Sequence, residues 1–336
     1  MAAVMPLPVL EKDIFQVPVP KPIPPYGYVE LQAGQIVGTG WLQEFPDTRD
    51  FTDQHPQVAE IVDKLNITRA RKATRLTLPT EVDLRPWCSP IEDQGLLGSC
   101  TANAAAGIVE YYERRAFNRF IDASRLFIYK TTRDLLGWTG DTGAYIRTTM
   151  AALTMFGVPP ENYWPYTDRH QPGTGNERTF DLEPTAFTYE VAEKFEAMNY
   201  ICHDPFGTPV PPATLLNNIK LFLGAGIPVM FGFYVFPSYT QTDVLGAFPY
   251  PTPGERAFAG HAVVAVGYDD NMKIKNLVSN KTTTGALLIR NSWGTKWGNG
   301  GYGWLPTNYV LSQYASDFWS LLGMKWIETK QFGLPI

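Results

Sequence analysis

The pattern of apolar and polar positions changes character near residue 79. Before that point apolar residues take helical spacing once, in "HPQVAEIVDKLNI", where Val58, Ile61, Val62 and Leu65 share a face and Pro56 suits a first helical turn. The spacing predicts a short amphipathic helix that docks on another part of the chain. Upstream, "VPVPKPIPPYGY" has prolines at nearly alternate positions, which favours extended polyproline backbone and excludes a helix or a central strand. Downstream, "TRARKATRLTLPT" carries Arg69, Arg71, Lys72 and Arg75 without an apolar stripe, the composition of an exposed linker open to proteolysis. The expected division is an N-terminal segment, residues 1–79, and a larger domain, residues 80–336.

Within the larger domain, helical periodicity comes first and strand-like runs follow. "CTANAAAGIVEYYERRAF" sets Ala104, Ile108, Tyr112 and Ala116 at helical spacing, and its small residues let other backbone approach closely, so a central buried helix is predicted. "DASRLFIYKTTRDLLG", with a cap at Ser124 and a stop at Gly137, and "GAYIRTTMAALTMFG" predict two more. A loop-rich stretch, residues 165–185, and a helix in "PPATLLNNIKLFLGAG" lead into "IPVMFGFYVF", "HAVVAVGYDD", "ALLIRNSW", "GYGWLP" and "DFWSLLGMKWI", which read as strands. The expected fold class is α+β in two lobes, helical over about 80–185 and β-rich over about 186–336.

Composition narrows the function. With 336 residues, 44% of them hydrophobic, the chain buries a sizeable core, and a net charge of −5 argues against a nucleic-acid face. No apolar run is long enough to span a bilayer and the N-terminus lacks a signal-peptide pattern, so no membrane partner and a cytoplasmic location are expected. Three cysteines, Cys88, Cys100 and Cys202, cannot form a disulfide framework; Cys88 and Cys202 could pair and leave Cys100 free. Neither a metal nor a cofactor is expected, because Cys88, Cys202 and His203 show no recurrent ligand spacing. His55 and His170 lie in polar loop surroundings and read as solvated.

Cys100 stands where the unpaired N–H groups of a helix N-terminus favour negative charge, so its thiolate should be stabilised. His261 opens a strand in "AGHAVVAVGYDD" and Asn291 closes one in "LLIRNSWGTKWGNGGYGW". An imidazole can take the thiol proton, and a side-chain amide oxygen can hold the other ring N–H and so fix tautomer and orientation.

"DQGLLGSCTANA", "GHAVVAVGYDD" and "RNSWGTKWGNGGYG" closely resemble, in order, the three active-site blocks of papain-like cysteine peptidases, and the likeness spans residues 80 to about 325. The resemblance implies a papain-like two-lobe fold with a cleft between the lobes, and hydrolysis of peptide bonds in an extended peptide or protein substrate. Cys100 is then the nucleophile, His261 the base and later the acid, Asn291 the orienting amide, and Gln94 an oxyanion donor together with the Cys100 backbone N–H. Trp293 matches the indole that covers the Asn–His hydrogen bond, and Gly143 the glycine stretch that pairs with substrate backbone along the cleft. Leu97 and Thr101 stand where plant and lysosomal members carry cysteine and tryptophan, and "GWLQEFPDTRDFTDQHPQV" is similar to the bacterial, xylellain-like branch. In that branch the N-terminal segment can lie over the cleft, so residues 1–79 are expected to act as an inhibitor or folding chaperone, with the proline-rich stretch in or near the cleft. The insertion "NMKIKNLVSNKTTTG" between His261 and Asn291 is expected to form a hairpin. Two alternatives share these motifs: a peptide ligase or transamidase, and a non-catalytic binding protein on the same fold.

Overall fold

A computed structural model describes residues 27–324 apart from 32–33, 46, 48–49, 53–54, 66, 69–77, 169–179, 196 and 206–209. The proline-rich stretch, the basic residues of the linker and His170 lie outside the described residues.

Three helices form one side of the molecule: α2 (Cys100–Phe117), α3 (Arg125–Leu135) and α4 (Ile146–Phe156). The alanine-rich first half of α2 combines high helix propensity with small volume, and Cys100 to Tyr111 are all buried. Asn118 ends that helix in left-handed backbone (φ 55°), its N–H donating to the Arg114 carbonyl. Ser124 caps α3 as predicted, its hydroxyl accepting from the Phe127 N–H at 3.2 Å.

On the other side lies a seven-stranded antiparallel sheet. Its strands are β3 (Glu81–Asp83), β4 (Ala197–Cys202), β5 (Val229–Val235), β6 (Ala259–Lys275), β7 (Thr282–Arg290), β8 (Tyr302–Pro306) and β9 (Ala315–Met324). The order is β4-β9-β5-β6-β7-β8, with β3 also paired to β6. The expected hairpin is present: beyond a register shift after Asp269, Lys273 to Lys275 pair with Thr282 to Thr284, so the insertion lengthens β6 and β7 away from the site. Helix α6 (Pro212–Gly224) packs on β5 and β6, and α7 (Asn308–Leu311) beside β8 and β9. Among the elements that were not predicted are the helix α5 (Ala186–Glu193) and β4. Each is short, and "AMNYIC" sets a polar residue within an apolar strand, so neither carries a clean period.

Helix α2 lies against β6, which brings the Cys100 end of the helix to the centre of the sheet. The approach depends on Gly107, where a Cβ would come within 2.6 Å of Arg290 Nε. Arg290, the last residue of β7, donates to the Ser89 carbonyl at 2.6 Å and the Pro90 carbonyl at 2.7 Å, tying the β7 end to the chain that enters the Cys100 turn. All three cysteines are free and buried, so Cys88 and Cys202 do not pair.

The described part of the N-terminal segment folds onto this body. β1 (Tyr28–Glu30) and β2 (Ile36–Gly38) form a small hairpin, and the predicted helix is present as α1 (Pro56–Lys64), with Val58 and Val62 buried. His55 is not a solvated loop residue: its ring packs on Phe51 at 4.4 Å, and it precedes α1 as the N-cap position.

Candidate active site

Cys100 is the first residue of α2 and is 0% exposed. Its sulfur accepts from the Ala262 N–H at 3.4 Å, and the Gly40 backbone N–H reaches it as well. Such donors favour a thiolate, yet burial outweighs them and pushes the thiol up to about 12. The expectation of a stabilised thiolate is therefore corrected for this closed state. A helix N-terminus favours charge only as far as desolvation leaves room for it, and here the sulfur has no solvent.

His261 lies on β6 immediately before Ala262, so the strand carrying the imidazole runs over the sulfur. Antiparallel pairing of Val264 with Arg290 brings the end of β7 alongside, and His261 Nε2 meets Asn291 Oδ1 at 2.7 Å. An amide oxygen only accepts, so the proton sits on Nε2 and leaves Nδ1 as the basic nitrogen of a neutral ring. Nδ1 is buried without a hydrogen-bond partner, and burial lowers the imidazole to about 4. Trp293 stacks on His261 with centroids 4.4 Å apart; it is fully buried, so it shields the imidazole from behind and lines no exposed surface.

Gln94 is fixed from two sides. Its N–H donates to the Ser292 carbonyl at 2.9 Å, and the Ser292 hydroxyl donates to its Oε1 at 2.6 Å. This leaves Nε2 to donate to the carbonyls of Leu97, at 2.8 Å, and Gly38, at 3.0 Å. Gly95 turns the chain between Gln94 and Cys100 with φ 56°, a conformation that glycine adopts without strain.

The Gly38 partner belongs to a segment of the N-terminal region, residues 38–42, that crosses this site. Gly38 N–H donates to the Gly95 carbonyl at 2.8 Å, and Trp41 N–H to that of Gly260, next to His261, at 3.2 Å. Ala144 N–H donates to the Gly40 carbonyl at 2.8 Å, and Leu42 N–H to the Ala144 carbonyl at 3.1 Å. Side chains at 38 or 40 would prevent this approach: a Cβ on Gly40 would overlap the Gly98 carbonyl, and one on Gly38 the carbonyls of Leu96 and Leu97. Gly143 is in the crossing, where a Cβ would overlap the Gly40 carbonyl, but its neighbour Ala144 makes the backbone ladder.

The structure thus brings together Cys100, His261, Asn291, Gln94, Gly143 and Trp293. The proline-rich stretch expected in the cleft lies outside the described residues; the described residues that occupy it are Gly38 to Leu42. Sequence reasoning missed Trp41, Ala144, Gly260 and Asp317, although the pattern Gly-Thr-Gly-Trp, two glycines before a large aromatic, was a usable signal for close backbone approach. Among the described residues, Glu92, Glu110 and Asp122 alone cluster closely enough to hold a metal ion. Protein donors already engage two of them, Arg125 on Glu92 at 2.8 Å and the Ala123 N–H on Glu110 at 3.0 Å.

Comparison with known proteins agrees with this geometry. The family model described as papain family cysteine protease matches residues 78–316. An uncharacterized peptidase C1-like protein of Acanthamoeba polyphaga mimivirus is 36% identical over 232 residues, 68% of this chain and 68% of its own. Cathepsin K of Gallus gallus is 25% identical over 272 residues, 77% of this chain and 70% of its own. Among solved structures, xylellain, a cysteine protease from Xylella fastidiosa, superimposes with a TM-score of 0.65 at 32% identity, covering 84% of this chain and 95% of that one. Procathepsin L 3 of Tenebrio molitor larval midgut matches in fold with a TM-score of 0.51 at 19% identity, covering 73% of this chain and 70% of its own. With the family model and a relative of this identity spanning two thirds of its length, the chain belongs to the papain family and is a cysteine peptidase.

Proposed function

We propose that the chain is a self-inhibited endopeptidase that works through Cys100, His261 and Asn291, and that residues 38–42 hold it inactive. The observation that carries the reading is the alignment of three groups. Asn291 Oδ1 fixes the proton on His261 Nε2, the basic Nδ1 is left free, and the residue after His261 donates to the Cys100 sulfur.

With the crossing segment displaced and water readmitted, the thiol proton passes to His261 Nδ1 and the two groups form an ion pair. The thiolate attacks the scissile carbonyl carbon, a C–S bond forms, and the carbonyl oxygen becomes an oxyanion held by Gln94 Nε2–H and the Cys100 N–H. His261 returns its proton to the amine as the C–N bond breaks. Water, deprotonated by His261, then hydrolyses the thioester.

The segment's resistance to cleavage has a geometric basis. What meets the sulfur is the Gly40 N–H, a donor, while the Gln94 donor is held by the Gly38 carbonyl two residues away. The carbonyl that Gln94 holds and the N–H at the sulfur thus belong to different residues, an arrangement unlike that of a scissile carbonyl, which takes both at one residue. Two proenzymes among the structural neighbours, of cathepsin L and cathepsin B type, are consistent with regulation by an N-terminal segment.

The test is turnover of a denatured protein by the full chain, by Gly40→Ala and by Gly40→Ala/Cys100→Ala. The glycine substitution should raise activity about tenfold or more, the scale of inserting a methyl group into packed backbone, and the double variant should be inactive. Equal activity of the full chain and Gly40→Ala would remove the inhibitory role; activity without Cys100 would remove the mechanism. Addition of an amine nucleophile separates hydrolysis from transamidation, which would yield amide products.

A further inference from the structure

The residue after Gly40 sends its side chain into a built pocket. Trp41 is 2% exposed, and its indole lies flat over Gly232 of β5, where any Cβ would overlap the ring. Gly260 of β6 gives way to it in the same manner, and the Tyr234 ring stands 5.3 Å from it. The indole N–H donates to Asp317 Oδ2 at 2.9 Å. Because the Gly40 N–H touches the Cys100 sulfur, this pocket is one residue away from the reaction centre.

Asp317 is held there at a conformational cost. Between the pairs Met230–Trp319 and Gly232–Ser316 the β5–β9 register shifts, so β9 bulges at residues 317–318. Asp317 takes left-handed backbone (φ 57°) in the bulge, a conformation few side chains adopt. Asp204 pins it by accepting from the N–H groups of Asp317 at 2.9 Å and Phe318 at 2.8 Å. The Asp317 carboxylate itself accepts from two donors among the described residues, the Trp41 indole and the Glu44 N–H at 3.1 Å, and both belong to the N-terminal segment. When that segment leaves, the carboxylate loses both of these donors and faces an emptied pocket.

We propose that Asp317 is a specificity-determining residue, and that the pocket Trp41 fills takes a basic side chain of the substrate, arginine or lysine. The inference rests on the peptidase reading above. A guanidinium or ammonium replaces the indole N–H with a charge-assisted donor, and the Tyr234 ring and glycine floor take the aliphatic stem. The charge balance favours a cation. The charged groups facing Asp317 are Asp204, Arg147 of α4, and Glu44 of the N-terminal segment. With Glu44 gone, two carboxylates, Asp317 and Asp204, face one guanidinium.

Two measurements on the full chain test this. The first reads binding without turnover. Benzamidine and its neutral counterpart benzamide are titrated against Trp41→Ala and Trp41→Ala/Asp317→Asn. Benzamidine should bind Trp41→Ala about tenfold more tightly than benzamide, the scale of one hydrogen bond to a charged group, and the second variant should lose the difference. Equal binding of the two probes overturns the proposal. The second is cleavage of a peptide pool varied at one position at a time, by the wild-type chain and by Asp317→Asn. The ratio of basic to apolar cleavage is read, in which competition by the crossing segment cancels, so this arm stands even if Trp41→Ala does not fold. A basic preference that falls about tenfold in Asp317→Asn supports the proposal; cleavage with no basic preference, or a preference untouched by the substitution, overturns it. A benzamidine preference with no peptide cleaved would support the pocket and sink the peptidase reading instead.

Discussion

At the scale of single residues the site is a set of groups held neutral by burial. Cys100 is pushed up to about 12 and His261 down to about 4, so both are neutral beneath Gly38 to Leu42 and the proposed ion pair requires that cover to leave. Gln94 is the residue whose part is most easily isolated, since Ser292 fixes one end of its amide and the other donates into the cleft. In the Gly40→Ala background, Gln94→Ala should lower kcat by about two to three orders of magnitude with little change in KM, the pattern for losing one oxyanion donor. A loss of less than about tenfold would place the oxyanion elsewhere. The identity of these residues was legible because each is a rare residue type inside a distinctive block. Their ionisation was not legible, because a helix N-terminus announces itself in sequence and the segment that buries it does not.

At the scale of elements, the proposed self-inhibition turns on how tightly the crossing segment docks. Burying the Trp41 indole contributes on the order of 2 kcal/mol to docking, and Arg147 adds bonds to Asp50 at 2.6 Å and an ion pair with Glu44 at 3.2 Å. Against this, burial and the neighbouring carboxylates raise Asp317 to about 8 and hold Glu44 above its ordinary range. A carboxyl group raised in the docked state binds its proton more tightly there, so docking weakens as pH climbs from the ordinary carboxylate range through about 8. The lowered imidazole of His261 acts oppositely, but only below its ordinary value of 6.5. Between pH 6.5 and about 8 the carboxyl groups therefore weaken docking as pH rises, and the raised Cys100 thiol acts in the same direction. Amide exchange at Gly38 to Leu42, corrected for intrinsic rate, should lose protection as pH rises through that window; rising protection would contradict this balance. The helices α1 to α4 and the β5 to β9 strands were legible from periodicity and punctuation. The crossing left a weaker trace: Gly38 and Gly40 before Trp41 signal a close backbone approach, but absent side chains carry no period and do not say what is approached.

At the scale of the whole molecule, one contact sets the site: α2 against β6, made close by Gly107 and locked by Arg290. It joins Cys100, early in the chain, to His261 and Asn291 from the sheet, an arrangement that sequence showed through order and resemblance but not through distance. The insertion between His261 and Asn291 extends a hairpin outward and leaves the pairing of Val264 with Arg290 intact. The pocket at Asp317 was illegible for a related reason: it depends on a bulge in β9 and on glycines in β5 and β6, which meet only in the folded sheet.

The central claim is that a competent thiol lies beneath residues 38–42. Intact-mass kinetics of a thiol-directed epoxide test it most directly, on the full chain, Gly40→Ala and Gly40→Ala/Cys100→Ala at pH 7. The account predicts one rapid adduct on Gly40→Ala, located at Cys100, with slow labelling of the full chain and none at that position in the double variant. Labelling of the full chain as fast as Gly40→Ala, or no adduct on Gly40→Ala at all, would contradict it.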